Sequence, residues 1–153
     1  MIKCIFLFSL LILVSLSSQL HDPENSNPSP SPAHAELTNY GFPIGLLPSS
    51  VQTYTLNETS GVFAVDLGGA CKITLPPDNY LATYSKKVRG KIVQGRIAEL
   101  EGIRVWAFFK WWSLTGIRSS GDDLVFEVGM VTAKYPSSNF DETHDCEGKH
   151  SSS

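Results

Sequence analysis

The sequence predicts an all-β fold, a small antiparallel β-barrel or sandwich of about seven or eight strands with a short N-terminal helical turn. From Val51 onward apolar residues recur at period two, the spacing that lines one face of a strand. Clusters of Gly, Pro, Asn and Asp interrupt this pattern at short intervals, as turns between strands require. Hardly any stretch of the domain sustains a helical period.

The elements follow in order. Residues 1–18 read as a signal peptide: Lys3 supplies the positive charge, Cys4 to Leu16 is almost unbroken Ile, Leu, Phe and Val, and Ser15, Ser17 and Ser18 are small exit residues. The apolar run falls short of the roughly 20 residues of a membrane-crossing helix. Residues 19–35 form a Pro/Ser-rich linker, with Pro23, Pro28, Pro30 and Pro32 among Ser and Asn. The β-barrel domain is expected over 36–146 and a disordered tail over 147–153.

Within the domain, Glu36 to Tyr40 is the expected helical turn, stopped by Gly41 and Pro43. Ile44, Leu46 and Leu47 then make an apolar plug before Pro48. Val51 to Leu56 and Val62 to Leu67 flank a hairpin loop ending in Gly61. Cys71, Ile73 and Leu75 share one strand face, and Pro76-Pro77-Asp78-Asn79 is a turn. Tyr80 to Ile92 is a strand with a bulge at Gly90, and Ile97 to Leu100 is a short one. Ile103 to Ile117 reads as one long aromatic strand. After a turn at 119–122, Leu124 to Lys134 is another. From Pro136 the chain is expected to be loose apart from Cys146.

Charge and cysteine use bound the function. The formal net charge of −3 argues against nucleic acid as a partner, which needs a basic surface. Beyond the leader no hydrophobic stretch reaches spanning length, so no transmembrane span is expected. Once Cys4 leaves with the leader, Cys71 and Cys146 remain as one disulfide in an oxidising route. Asn57-Glu58-Thr59 is an N-glycosylation sequon at a turn. Together these point to a protein outside the cytosol, secreted or in the endomembrane lumen; a monomer is expected.

Several segments form a further pattern: Tyr40-Gly41-Phe42-Pro43-Ile44-Gly45-Leu46-Leu47-Pro48, then Gly69-Ala70-Cys71, Val88-Arg89-Gly90-Lys91-Ile92, Leu100-Glu101-Gly102-Ile103 and Tyr135-Pro136-Ser137-Ser138-Asn139-Phe140. Their order and spacing resemble the plant family named domain of unknown function five-three-eight, across nearly the whole domain. The resemblance implies a small barrel-like domain likened to the lipid-binding bactericidal/permeability-increasing proteins. It implies a secreted or endomembrane setting, here the apoplast or cell wall space, and links to growth and stress responses. A weak esterase role is part of the same picture, but no catalytic set is carried over. The short N-terminal helical segment and the Ser/Pro leader depart from the family pattern.

Two surfaces carry the candidate ligand-binding residues. All three tryptophans fall in 104–112. In a continuous strand Trp106, Phe108 and Trp112 face one way, and Val105, Ala107, Phe109 and Trp111 the other. That gives a groove or stacking platform for lipid or carbohydrate, or else a strand buried on both faces. Lys87, Arg89 and Lys91 form a basic stripe with Val88 and Ile92 behind it. The stripe suits anionic headgroups or acidic polysaccharide, or serves as a solvated face that guards against edge pairing.

Catalysis has little to stand on. No G-x-S-x-G elbow occurs, and His21, His34, His144 and His150 all fall in the expected linker or tail. A Ser–His pair would need the tail to fold back through Cys146. No catalytic residue, metal ligand or cofactor is assigned, since His144-Asp145-Cys146 matches no zinc spacing. The leading expectation is a non-enzymatic binding module for an amphipathic or anionic ligand. A weak esterase-type hydrolase and a protein-binding signalling module are the alternatives.

Overall fold

A computed structural model describes residues 31–75 and 79–148. The expected signal peptide, most of the expected linker, residues 76–78 of the expected turn and the last tail residues lie outside the described residues.

Regular structure is present earlier in the chain than the sequence suggests. Helix α1 (Pro32–Asn39) begins inside the stretch expected to be linker. Ser31 is its N-cap, accepting a hydrogen bond from the His34 N–H at 3.4 Å, and Pro32 occupies the first turn, where its missing donor costs nothing. The helix ends in a Schellman motif, with Phe42 N–H donating to Leu37 O and Gly41 N–H to Thr38 O. Gly41 takes the left-handed φ of +87° that this cap requires. Ala33, His34 and Leu37 form the buried face.

A 3-10 turn (Ile44–Leu46) follows. Gly45 sits where a Cβ would collide with the backbone oxygens of Phe140 and Glu142. The second glycine of the GFPIGLLP stretch is therefore explained by close backbone approach.

Among the described residues nine strands form one antiparallel sheet: β1 (Thr53–Leu56), β2 (Val62–Asp66), β3 (Cys71–Leu75), β4 (Tyr80–Val93), β5 (Arg96–Ala107), β6 (Lys110–Ser113), β7 (Gly116–Ser120), β8 (Asp123–Val128) and β9 (Val131–Pro136). The all-β antiparallel expectation holds, but the sheet is not closed; its path runs β1-β2-β4-β5-β7-β8-β9. The long β4–β5 hairpin is its spine. β2 and β3 share one edge of β4, pairing 87–91 and 80–84. β6 and β7 share one edge of β5, pairing 104–107 and 96–97. The β4–β5 register does shift at Gly90, but the extra residue there belongs to β5, where Glu99 and Leu100 stand against Gly90; the extra residues of β4 itself lie between Tyr84 and Arg89.

The extra strands come from two hairpins that the sequence reads as single strands. The expected strand 103–117 turns at Phe108-Phe109, with Ala107 paired to Lys110. The expected strand 124–134 turns at Gly129-Met130, with Val128 paired to Val131. The sheet curls until the Tyr135 ring of β9 meets the Tyr80 ring of β4 edge-on, at 5.6 Å between centroids.

The C-terminal segment is not loose. A 3-10 turn (Ser137–Phe140) buries Phe140. Cys146 and Cys71 form a disulfide, S–S 2.01 Å, across a separation of 75 residues. Glu147 N–H donates to Lys72 O at 2.7 Å, and Thr74 N–H donates to the Glu147 carboxylate at 3.1 Å. These bonds cover the outer edge of β3, which would otherwise present open ladder groups. In the chain-entropy picture a cross-link of this span stabilises by at most about 4–5 kcal/mol.

Candidate functional site

The two halves of the curled sheet are filled differently. Over β1, β2 and the outer end of β4–β5, helix α1 and the 3-10 turn press Leu37, Leu46 and Leu47 onto the sheet. Only a cavity of about 60 Å³ is left there. Over the other half, between β3, β4, β5, β6, β8 and β9, lies a cavity of about 240 Å³. Leu46, Ile103 and Ile117 line both cavities and form the partition between them.

The larger cavity is mainly apolar, with Thr132 and three tyrosines on its wall. Tyr84, Leu114 and Phe140 lie deep and buried, while Phe108, Val131 and Thr132 line it yet are exposed. The mouth therefore opens between the β5–β6 and β8–β9 turns. No Asp, Glu, His, Lys, Arg, Ser or Cys is among the lining residues. The Tyr84 hydroxyl donates to Leu46 O at 3.0 Å, and burial pushes its phenol well above the ordinary tyrosine value. The space exceeds the ~150 Å³ apolar cavity that takes up benzene, and is just below the ~300 Å³ floor for drug-sized pockets. It suits one ring or a short acyl segment.

The candidate aromatic residues are divided by the turn that the sequence hides. Trp112 pairs with Val105 across the ladder and Trp111 with Trp106. Trp112 and Phe108 thus line the cavity with Val105 and Ala107. Trp106 stands on the opposite face, edge-on to Trp111 at 5.4 Å. The expected grouping of Trp106 with Trp112 is corrected, because two turn residues separate the strands. Trp112 Nε1 donates to Ala107 O at 2.8 Å. The Lys110 ammonium lies 3.9 Å over the Trp112 ring, and Arg104 lies 5.5 Å over Trp111.

Phe108 and Phe109 themselves form the turn, with φ of +51° and +65°. Both left-handed values identify a type I′ turn, which favours Asn-Gly. For side chains other than Gly, and sometimes Asn or Asp, this costs on the order of 1–2 kcal/mol per residue. The rings are 84% and 95% exposed, and Met130 on the neighbouring tip is fully so.

Lys87, Arg89 and Lys91 are exposed on β4, with Val88 and Ile92 buried behind them. None lines either cavity. Asp66 stands opposite Lys87 and Glu101 opposite Arg89 in the ladder, so two of the three basic residues have an acidic residue as cross-strand partner. Asn57 is exposed in the β1–β2 loop, where its Oδ1 accepts from Thr59 N–H and Ser60 N–H, an Asx turn that leaves the amide nitrogen outward.

A serine–histidine contact does exist, at a place the sequence reading missed. His34 is 2% exposed, with Nδ1 2.6 Å from Ser31 Oγ and Nε2 3.3 and 3.1 Å from Leu47 O and Pro48 O. Two carbonyl partners fix the proton on Nε2, so Nδ1 accepts from the hydroxyl. Neither residue lines a cavity; the pair ties α1 to the apolar plug. The signal was an N-cap serine followed by proline, hidden in a Ser/Pro-rich stretch. At the tail, His144 meets Ser49 through its backbone oxygen, and the Ser49 hydroxyl donates to Asp145. Among the described residues no cluster of metal-capable side chains occurs, and no helix is long and apolar enough to cross a membrane.

Comparison with known proteins agrees with the motif pattern. The family described as "Protein of unknown function, DUF538" matches residues 33–141. Uncharacterized protein At5g01610 of Arabidopsis thaliana is 24% identical over 98 residues, 64% of this chain and 56% of that protein. The chain thus spans little more than half the length of that relative. No solved structure matches. On the breadth of the family match, the chain belongs to the DUF538 family.

Proposed function

We propose that the protein is a non-enzymatic binding module for a small anionic amphiphile whose apolar end enters the cavity behind Phe108 and Trp112. The observation that carries this reading is a 240 Å³ apolar space with no charged or nucleophilic Ser, Cys or His side chain on its wall. Such a wall offers burial to a hydrocarbon segment but no general base to an ester. Lys110, stacked on the Trp112 ring at the mouth, supplies a cation for the head of the ligand. The basic stripe has no part in this site. Export through a cleaved leader fits the disulfide and the exposed Asn57.

Titration with decanoate, followed by tryptophan fluorescence, tests the reading. The wild type is expected to show a saturable change, and Ala133→Leu, which fills the cavity from β9, to lose about tenfold or more in affinity. Absence of saturable binding, together with labelling of a single serine by a fluorophosphonate, would move the assignment to an ester hydrolase. Intact-mass analysis of protein secreted from its own tissue checks cleavage near Ser17 or Ser18 and a glycan on Asn57.

A further inference from the structure

Among the described residues, five of the seven exposed large apolar side chains lie at or next to two neighbouring hairpin tips, Val62 and Val93 being the exceptions. The tip of β5–β6 carries Phe108 and Phe109, and the tip of β8–β9 carries Met130 and Val131. The two tips flank the same cavity mouth, since Phe108 and Val131 both line it. We infer that these tips form a docking edge that seats the protein on the interfacial layer of an anionic lipid bilayer.

Three observations favour a bilayer. The first is charge. The chain is acidic as a whole, yet no Asp or Glu occurs in 103–121 or in 128–140. Arg104 and Lys110 sit just behind the aromatic tip, held against Trp111 and Trp112. Cations in this position reach headgroups while their stems lie along apolar surface.

The second is layering. Trp106 and Trp111 pair one step behind the Ala107–Lys110 rung, which is about 3.4 Å along a strand. The phenyl rings lead and the tryptophans follow, the order of hydrocarbon and interface in a membrane. The third is strain. Phe108 and Phe109 both hold left-handed backbone, a conformation that other residues adopt more easily, and two phenylalanines in water gain nothing there that would offset it. A protein partner of ordinary affinity buries about 800 Å² per side on a continuous patch. Two protruding two-residue tips separated by a cavity mouth fit a fluid medium better.

The inference rests on the tips and not on occupancy of the cavity, so the two are tested apart. The probe is the mature protein in co-sedimentation with vesicles of phosphatidylcholine containing a minority of phosphatidylglycerol, against pure phosphatidylcholine. The wild type is expected to bind the anionic vesicles and to bind the neutral ones more weakly. Phe109→Gly/Met130→Ser is expected to lose about tenfold for each apolar side chain removed. Its unfolding temperature should not fall, because glycine takes the φ of position 109 without strain, and its decanoate binding should persist. Ala133→Leu should still bind vesicles. Vesicle binding unchanged in the tip variant would overturn the inference. So would a wild type that ignores vesicles but forms concentration-dependent dimers which the tip variant abolishes.

Discussion

The two halves of the β4–β5 spine share strands, sheet and core, and differ in what covers them. One half is capped by α1 and the 3-10 turn, whose Leu37, Leu46 and Leu47 leave about 60 Å³ unfilled. The other is enclosed by β8 and β9 curling over it, and about 240 Å³ stays open. A helix brings large side chains down onto the sheet; a strand that curls back holds a gap, because its ladder and turns fix how close it can come. The filled half therefore reads as scaffold and the hollow half as the place where a ligand can replace a missing core.

Several changes would break or sharpen this contrast. The largest effect is expected from Cys71→Ser/Cys146→Ser, which frees the segment that covers β3 beside the hollow half. It should cost about 2–5 kcal/mol in urea unfolding and abolish decanoate binding. Next comes a paired comparison. Leu37→Ala in the filled half should cost about 2–4 kcal/mol, whereas Ala133→Leu in the hollow half should change stability by less than about 1 kcal/mol, because it enlarges a residue beside existing space. Equal losses would mean that both halves are packed alike.

An alkaline titration sharpens the same point through Tyr84. Its phenol is held above the ordinary value of about 10 by burial. Below pH 10 both folded and unfolded chains keep the proton. Above it the unfolded chain releases the proton while the native one retains it, so stability should fall by up to about 1.4 kcal/mol per pH unit. Absorbance near 295 nm should show one tyrosine that ionises only on unfolding; its normal ionisation would mean that water reaches the deep cavity. The smallest effect is expected from Lys87→Ala/Arg89→Ala/Lys91→Ala, within about 0.5 kcal/mol of wild type and with decanoate binding intact.

Much of the scaffold was legible in the sequence. Period-two runs and glycine-bounded turns located β1 to β4, whereas β5 (Arg96–Ala107) was split into a short strand at 97–100 and part of another; the cysteines pointed to their own pairing. What stayed hidden has physical causes. Phe108-Phe109 has none of the turn chemistry of Asn-Gly, so an aromatic hairpin looked like one strand, and the orientation of Trp112 was misplaced with it. Ser31-Pro32 is a sound helix start, but in a Pro/Ser-rich stretch it looks like linker. The acidic neighbours of the basic stripe lie on other strands, out of local view. A cavity leaves no trace in sequence, because it depends on the distance between strands distant in the chain.

The central claim is tested most directly by methyl-resolved NMR of the isotopically labelled protein during decanoate titration. The account predicts shifts at Leu75, Val105, Leu114 and Val128, which line the larger cavity, and none at Leu37, Leu56 and Val65, which line the smaller one. Shifts of similar size in both sets, or saturation without any shift in the first, would contradict it.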